Sequence, residues 1–262
     1  MNLRKQILTY NDCYKAGRTI APKGVMVHST GADNPQVSRY VPGDAVIGYN
    51  EGGNDWDRPG ISKCVHAFVG RFRDGSVGTV QTLPWDRRGW HCASGAKGSG
   101  NNTHISFEIC EDGLDDPEYF QAVYQEAVEL TAHLCELYGL PPLEDGVVIC
   151  HQEGYRRGIA SNHADVLHWF PKFGKSMDDF RSDVAKKMEG DDEDMTQEQF
   201  DAMMDNWLSR KASEPADEWA KPFIQEAIDA GVMSDVGGTI ERPKSFVTRQ
   251  EMAIVSAALS KK

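Results

Sequence analysis

The stretch from Thr103 to His151 limits the fold more than any other part of the chain. Thr103-His104-Ile105-Ser106-Phe107-Glu108-Ile109-Cys110 alternates polar and apolar residues, as a half-buried strand does. A helix start follows it directly. Asp116 is placed to cap, Pro117 suits the first turn, and Phe120, Val123, Tyr124, Ala127, Leu130, Leu134 and Leu137 form one apolar stripe until Gly139 closes the segment. Gly146-Val147-Val148-Ile149-Cys150-His151 then reads as another strand. Upstream, Gly24-Val25-Met26-Val27-His28 and Cys64-Val65-His66-Ala67-Phe68-Val69-Gly70 have the same short apolar character. The second of these runs through a turn at Arg73-Asp74-Gly75-Ser76 into Val77-Gly78-Thr79-Val80-Gln81. Ser176 and Asp179 open a last helix through about Met188. This order predicts an α/β fold with a central mixed β-sheet flanked by helices.

Glu189-Gly190-Asp191-Asp192-Glu193-Asp194 has acids at all but one position and no apolar residue, so it solvates and self-repels. Residues 189–194 are therefore read as a linker between a catalytic domain, 1–188, and a small all-α C-terminal module, 195–262. In the module, Thr196 and Gln199 form a capping box ahead of a stripe of Phe200, Met203, Met204, Trp207 and Leu208. A second helix is expected over Trp219 to Ala230, and a third begins at Thr248-Arg249-Gln250-Glu251. The chain carries 40 acidic and 28 basic side chains, a formal charge of −12. Phosphate binding needs a basic face, so nucleic acid is excluded as a partner. No run approaches the roughly 18 apolar residues of a membrane span, and Met1-Asn2-Leu3-Arg4-Lys5-Gln6 leads into no apolar signal segment. The expected setting is synthesis in the cytoplasm. The six scattered cysteines then read as free thiols.

Chemistry converges on histidines. Two apolar strands deliver one each at their C-terminal end, His28 and His151, and strand ends are rigid platforms for metal ligands. His163, in Gly158-Ile159-Ala160-Ser161-Asn162-His163-Ala164-Asp165, is the candidate third ligand from a loop that folds back over the sheet edge. Three protein ligands and an open fourth position describe a catalytic zinc site. Such a site needs a carboxylate to move the proton, and Glu108, between Phe107 and Ile109, is the candidate. The competing reading makes His28 and His151 hydrogen-bonded core histidines.

Five segments carry a family resemblance: Val25-Met26-Val27-His28-Ser29-Thr30, Val65-His66-Ala67-Phe68-Val69-Gly70-Arg71, Arg88-Gly89-Trp90-His91, Ile105-Ser106-Phe107-Glu108-Ile109-Cys110, and His151. In this order, from about residue 20 to 188, the chain resembles the type-2 N-acetylmuramoyl-L-alanine amidases, which include phage endolysins, recycling amidases and peptidoglycan recognition proteins. The resemblance implies one catalytic zinc and cleavage of the amide between N-acetylmuramic acid and L-alanine in peptidoglycan. It matches His28 and His151 to the first two ligands and Glu108 to the assisting glutamate. The family's third ligand is usually a cysteine or aspartate some eight to ten residues past the second. No cysteine follows His151 here, so His163 is the choice, with Asp165 and His168 as substitutes. Some members carry a tyrosine before the position of His66, where this chain has Val65.

Other residues have two readings. Trp90 and His91, in a loop, and His66, on an apolar strand, are candidate substrate contacts or else packing residues. His104 is expected on the surface, and the polar loop Tyr49 to Gly60 either rims a groove or joins two strands. In the tail, Trp219-Ala220, Ala227 to Val232, Pro243 and Val247 to Glu251 resemble a single S-layer-homology repeat. This implies wall binding, against the alternative of self-association. The function expected is a zinc amidase of the endolysin type, reaching the wall after holin-type release. A muropeptide-recycling amidase and a peptidoglycan-binding module without activity are the alternatives.

Overall fold

In the computed structural model the described residues are 1–190, 197–212 and 214–231, with 253, 256 and 257. The chain divides into two compact units, Met1–Asp191 and Asp192–Lys262. The first holds a six-stranded sheet in the order β1-β4-β3-β5-β2-β6. Its strands are β1 Leu3–Lys5, β2 Gly24–Ser29, β3 Ala67–Arg71, β4 Val77–Gln81, β5 His104–Ile109 and β6 Val148–Cys150. Only the β3–β4 hairpin is antiparallel, so the sheet is mixed. The hairpin turns through Gly75 at φ +89°, a left-handed conformation that glycine adopts without a Cβ clash.

A short helix, α1, covers Asp12–Lys15, and the long α2 covers Pro117–Tyr138. Asp116 caps α2 by accepting from the Glu118 and Tyr119 backbone N–H groups, and Gly139 ends it at φ +62°. Its apolar stripe packs on Val25, Val27, Ile105, Phe107 and Ile109 in one buried cluster, together with α4, Met177–Glu189. Ser176 caps α4 in a reciprocal pair with Asp179. A second cluster, with Phe68, Phe72, Val80, Leu83 and Tyr40, forms on the other side of the sheet. The loop from Tyr49 to Gly60 serves this core: Trp56 sets its ring edge against Phe68, with centroids 5.1 Å apart, and against Tyr40. All six cysteines are buried free thiols.

In the second unit α5 spans Gln197–Ala212 and α6 spans Lys221–Asp229, with Trp219 in the turn before α6. Thr196 of the capping box, the third helix expected at 248, most of the 189–194 linker and most of the repeat-like stretch lie outside the described residues. No helix among the described residues is long and apolar enough to cross a membrane.

Candidate metal centre

Strand alternation decides which side chains reach the face opposite α2. Val25 and Val27 of β2, with Ile105, Phe107 and Ile109 of β5, point into the α2 core. Their neighbours face the other way, and the parallel register sets His28 opposite Glu108. β6 pairs with the far side of β2 up to Cys150. His151 does not extend that strand; it is the first residue of a short helix, α3, His151–Arg156, with Cys150 at its N-cap. The histidine therefore stands beside His28 across the strand ends.

Asp165 completes the group. Its Oδ2 lies 2.9 Å from His151 Nδ1 and 3.5 Å from His28 Nδ1. The two Nδ1 atoms are 3.1 Å apart. Oδ2 is buried and makes no hydrogen bond, although His151 Nδ1 is within reach. The contact is close but is not aligned as a donor–acceptor pair. Two imidazole nitrogens and a carboxylate oxygen converge on one point, where their lone pairs repel unless a cation or proton sits among them. This donor set fits a divalent ion such as zinc, with two nitrogens and one oxygen and a coordination position to spare. Asp165 is also held at φ +44°, a left-handed backbone that aspartate tolerates at some cost.

Charge states agree with this arrangement. Burial works to raise the Asp165 carboxyl, but the adjacent imidazoles of His151 and His28 outweigh it and hold the group well below the usual carboxylate range. Burial lowers His28 despite Asp165, so its imidazole is neutral and free to ligate. Glu108 shows the opposite behaviour. Burial first, then the charges of Asp165 and Glu111, push its carboxyl well above the ordinary glutamate value, and Oε2 is buried without a hydrogen bond.

Each ligand-type imidazole has an outer partner. His28 Nε2 lies 2.9 Å from His91 Nδ1, and His151 Nε2 lies 3.2 Å from the Ser161 hydroxyl. Both Nδ1 atoms are turned inward, and the tautomer with the proton on Nε2 would let each ring donate outward while its Nδ1 ligates, the usual way a ligating histidine is oriented.

A cavity of about 560 Å³ opens over the group, lined by Glu108, Trp90, His91, His163 and His168 among others. His163, the third ligand expected from the sequence, does not join the three-donor group. It is exposed, two residues before Asp165, with its ring centroid 4.9 Å from that of His151. His168 instead lies 3.1 Å from the buried Glu111. Trp90 is exposed at the cavity edge, with the Arg88 guanidinium 5.3 Å from its ring centroid. His66 does not reach the cavity. It is wholly buried, Nδ1 accepts from the Ser106 N–H, and Nε2 donates to the Arg87 carbonyl at 2.6 Å. Both ring nitrogens are thus occupied inside the core, away from the cavity, unlike the substrate contact that the sequence offers as a candidate role for His66. His104 is likewise buried, contrary to the surface position expected, and Nε2 donates to the Gly146 carbonyl. Ser161 had no signal of its own; its role depends on a loop without periodicity.

An α/β sheet that brings two imidazoles, a carboxylate and the acid Glu108 together at its strand ends has the donor set of a candidate metal site. Residues 18–167 match the Amidase_2 family, N-acetylmuramoyl-L-alanine amidase, and the chain belongs to that family. It is similar to the N-acetylmuramoyl-L-alanine amidase CwlH of Bacillus subtilis strain 168, 29% identical over 123 residues. That match covers 45% of this chain and 41% of CwlH, so the chain matches about two fifths of that relative's length. Among solved structures, hydrolase AmiA of Staphylococcus aureus in complex with its ligand superposes with a TM-score of 0.54 at 20% identity, covering 76% of this chain and 86% of AmiA. PlyL gives 0.49 at 22% identity, covering 70% and 97%.

Proposed function

We propose that this protein is a zinc-dependent N-acetylmuramoyl-L-alanine amidase of the endolysin type. It would hydrolyse the amide between the lactyl group of N-acetylmuramic acid and the L-alanine of the peptide stem. The observation that carries the reading is the convergence of His28, His151 and Asp165 beside the half-buried acid Glu108 under one cavity. His28 Nδ1, His151 Nδ1 and Asp165 Oδ2 would hold the ion. When bound, zinc supplies Lewis-acid chemistry, polarising the scissile carbonyl and making water acidic near neutral pH. Glu108 accepts the proton of the attacking water and returns it to the departing alanine nitrogen. Burial keeps the Glu108 carboxyl hard to ionise, a nearby dication favours its charged form, and the two together poise it to exchange a proton. His163, exposed in the cavity next to His151, donates an N–H toward the developing oxyanion. Trp90 offers an indole face to a sugar ring.

The intact donor set favours an enzyme over a peptidoglycan-binding module without activity. The tail is assigned to holding the enzyme on wall polymers through its S-layer-homology-like stretch, and the site of action is the wall, after release from the producing cell. The test measures zinc content and new L-alanine amino termini on purified walls. Glu108→Gln is expected to keep zinc and lose about 10²–10⁴-fold in rate. Asp165→Ala is expected to lose zinc and His163→Ala to keep it with a reduced rate. Wild type that binds zinc yet releases no L-alanine termini refutes the enzymatic reading; zinc retained in Asp165→Ala refutes the ligand set.

A further inference from the structure

The outer partners of the two candidate ligands belong to separate loops, yet those loops form one frame. His91 lies on the 90–102 segment and Ser161 on the 158–161 segment. Three backbone hydrogen bonds join the segments: Lys97 N–H to the Gly158 carbonyl at 2.7 Å, Gly100 N–H to Ile159 at 2.8 Å and Ser161 N–H to Cys92 at 2.9 Å. The approach is close enough at Gly95 that a Cβ would fall 2.3 Å from the Gly158 carbonyl oxygen, so only glycine fits.

Asn101 stands at the centre of this frame. It is fully buried, and its side-chain oxygen accepts from the His91 N–H at 2.7 Å and the Cys92 N–H at 3.3 Å. Its amide nitrogen donates to the Ala93 carbonyl at 2.8 Å and to the Ser99 hydroxyl at 2.7 Å. One side chain thereby fixes the backbone of residues 91–93. That backbone carries His91, which meets His28, and the Cys92 carbonyl, which holds Ser161 against His151. A buried amide with both ends paired specifies a single loop conformation, because any other leaves polar groups unpaired.

We propose that Asn101 is a positioning residue that sets metal affinity without touching the metal. By fixing the 91–93 backbone it holds the His28–His91 and His151–Ser161 hydrogen bonds together, and both ligand imidazoles keep Nδ1 turned toward Asp165. The inference rests on the metal site proposed above. Loss of an outer partner of a ligating histidine costs about 10–100-fold in metal affinity, and loss of the residue that holds two such partners belongs at the upper end.

The experiment measures Zn²⁺ dissociation constants by chelator competition on the full chain, with thermal unfolding of the metal-free protein as a check on folding. Asn101→Ala is expected to weaken Zn²⁺ by about 100-fold, and His91→Phe and Ser161→Ala by about 10-fold each. His91→Asn, which keeps an acceptor at the δ position, and Ser161→Thr, which keeps the hydroxyl, are expected to stay near wild type. Combining Asn101→Ala with His91→Phe is expected to cost less than the product of the single effects, since both break the same link. A folded Asn101→Ala with wild-type affinity overturns the proposal. Should Asn101→Ala fail to fold, the paired variants at 91 and 161 decide: equal affinity within each pair overturns it. Failure of the underlying site is seen separately, as unchanged Zn²⁺ binding in His28→Ala and Asp165→Ala.

Discussion

His66 shows how a single buried side chain affects stability with pH. Burial pushes its imidazole down to about 4, against an ordinary value near 6.5. Above pH 6.5 the residue is neutral whether the chain is folded or not, and it adds no pH dependence. As the pH falls toward 4, the unfolded chain takes up a proton that the folded core excludes. Stability then drops by up to about 1.4 kcal/mol per pH unit, about 3 kcal/mol in all. Denaturant unfolding of the wild type and His66→Gln between pH 7 and 4 should show a flatter dependence in the variant; parallel curves would refute the assignment. His28 and Glu108 differ from His66 in what surrounds them: both line the cavity, whereas both ring nitrogens of His66 are taken up inside the core.

At the scale of elements, α2 anchors the sheet face that leaves the site free on the other side. Phe120, 3% exposed, stacks on Phe173 at 4.3 Å between centroids and meets Tyr124, Trp169 and Phe170 edge-on or tilted. Phe120→Ala is expected to cost about 3–5 kcal/mol, since the lost contacts come with a cavity. Gln121→Ala, one residue along on the exposed side, should stay within about 0.5 kcal/mol. Urea midpoints for the two variants check this, and comparable losses would mean that the helix is not held by this stripe. The same cluster includes Val166, Trp169 and Phe170, which follow Asp165 directly. Packing against α2 thus fixes the turn that delivers the third donor.

For the whole molecule, the metal-type donors, the acid and the frame around them all lie within residues 1–190, and so do both large cores. A fragment ending at residue 190 is expected to unfold cooperatively and to keep the Zn²⁺ affinity of the full chain. If the tail holds the enzyme on the wall, the fragment will lose retention on purified walls while cutting soluble muropeptides at an unchanged rate. Unchanged retention would remove wall targeting and leave self-association, which light scattering of the full chain would reveal.

The sequence by itself determined the element types and the strand ends at which chemistry could occur. The apolar run Val25–Val27 ends at His28, the alternating strand Thr103–Cys110 carries Glu108, and the Asp116–Gly139 stripe fixes α2 and the core it covers. Those patterns are local, so they could be read without a fold. The third donor could not be read this way. His163, Asp165 and His168 share a loop with no periodicity, and the choice among them depends on a left-handed turn at Asp165 and on where Val166 and Trp169 pack. The burial of His104 was hidden for a similar reason: a histidine on a strand looks the same in sequence whether its nitrogens meet solvent or a carbonyl such as that of Gly146, and at His66 the sequence leaves the packing and the site readings both open. Only long-range packing makes that distinction, because it alone brings the partner atoms within hydrogen-bond distance.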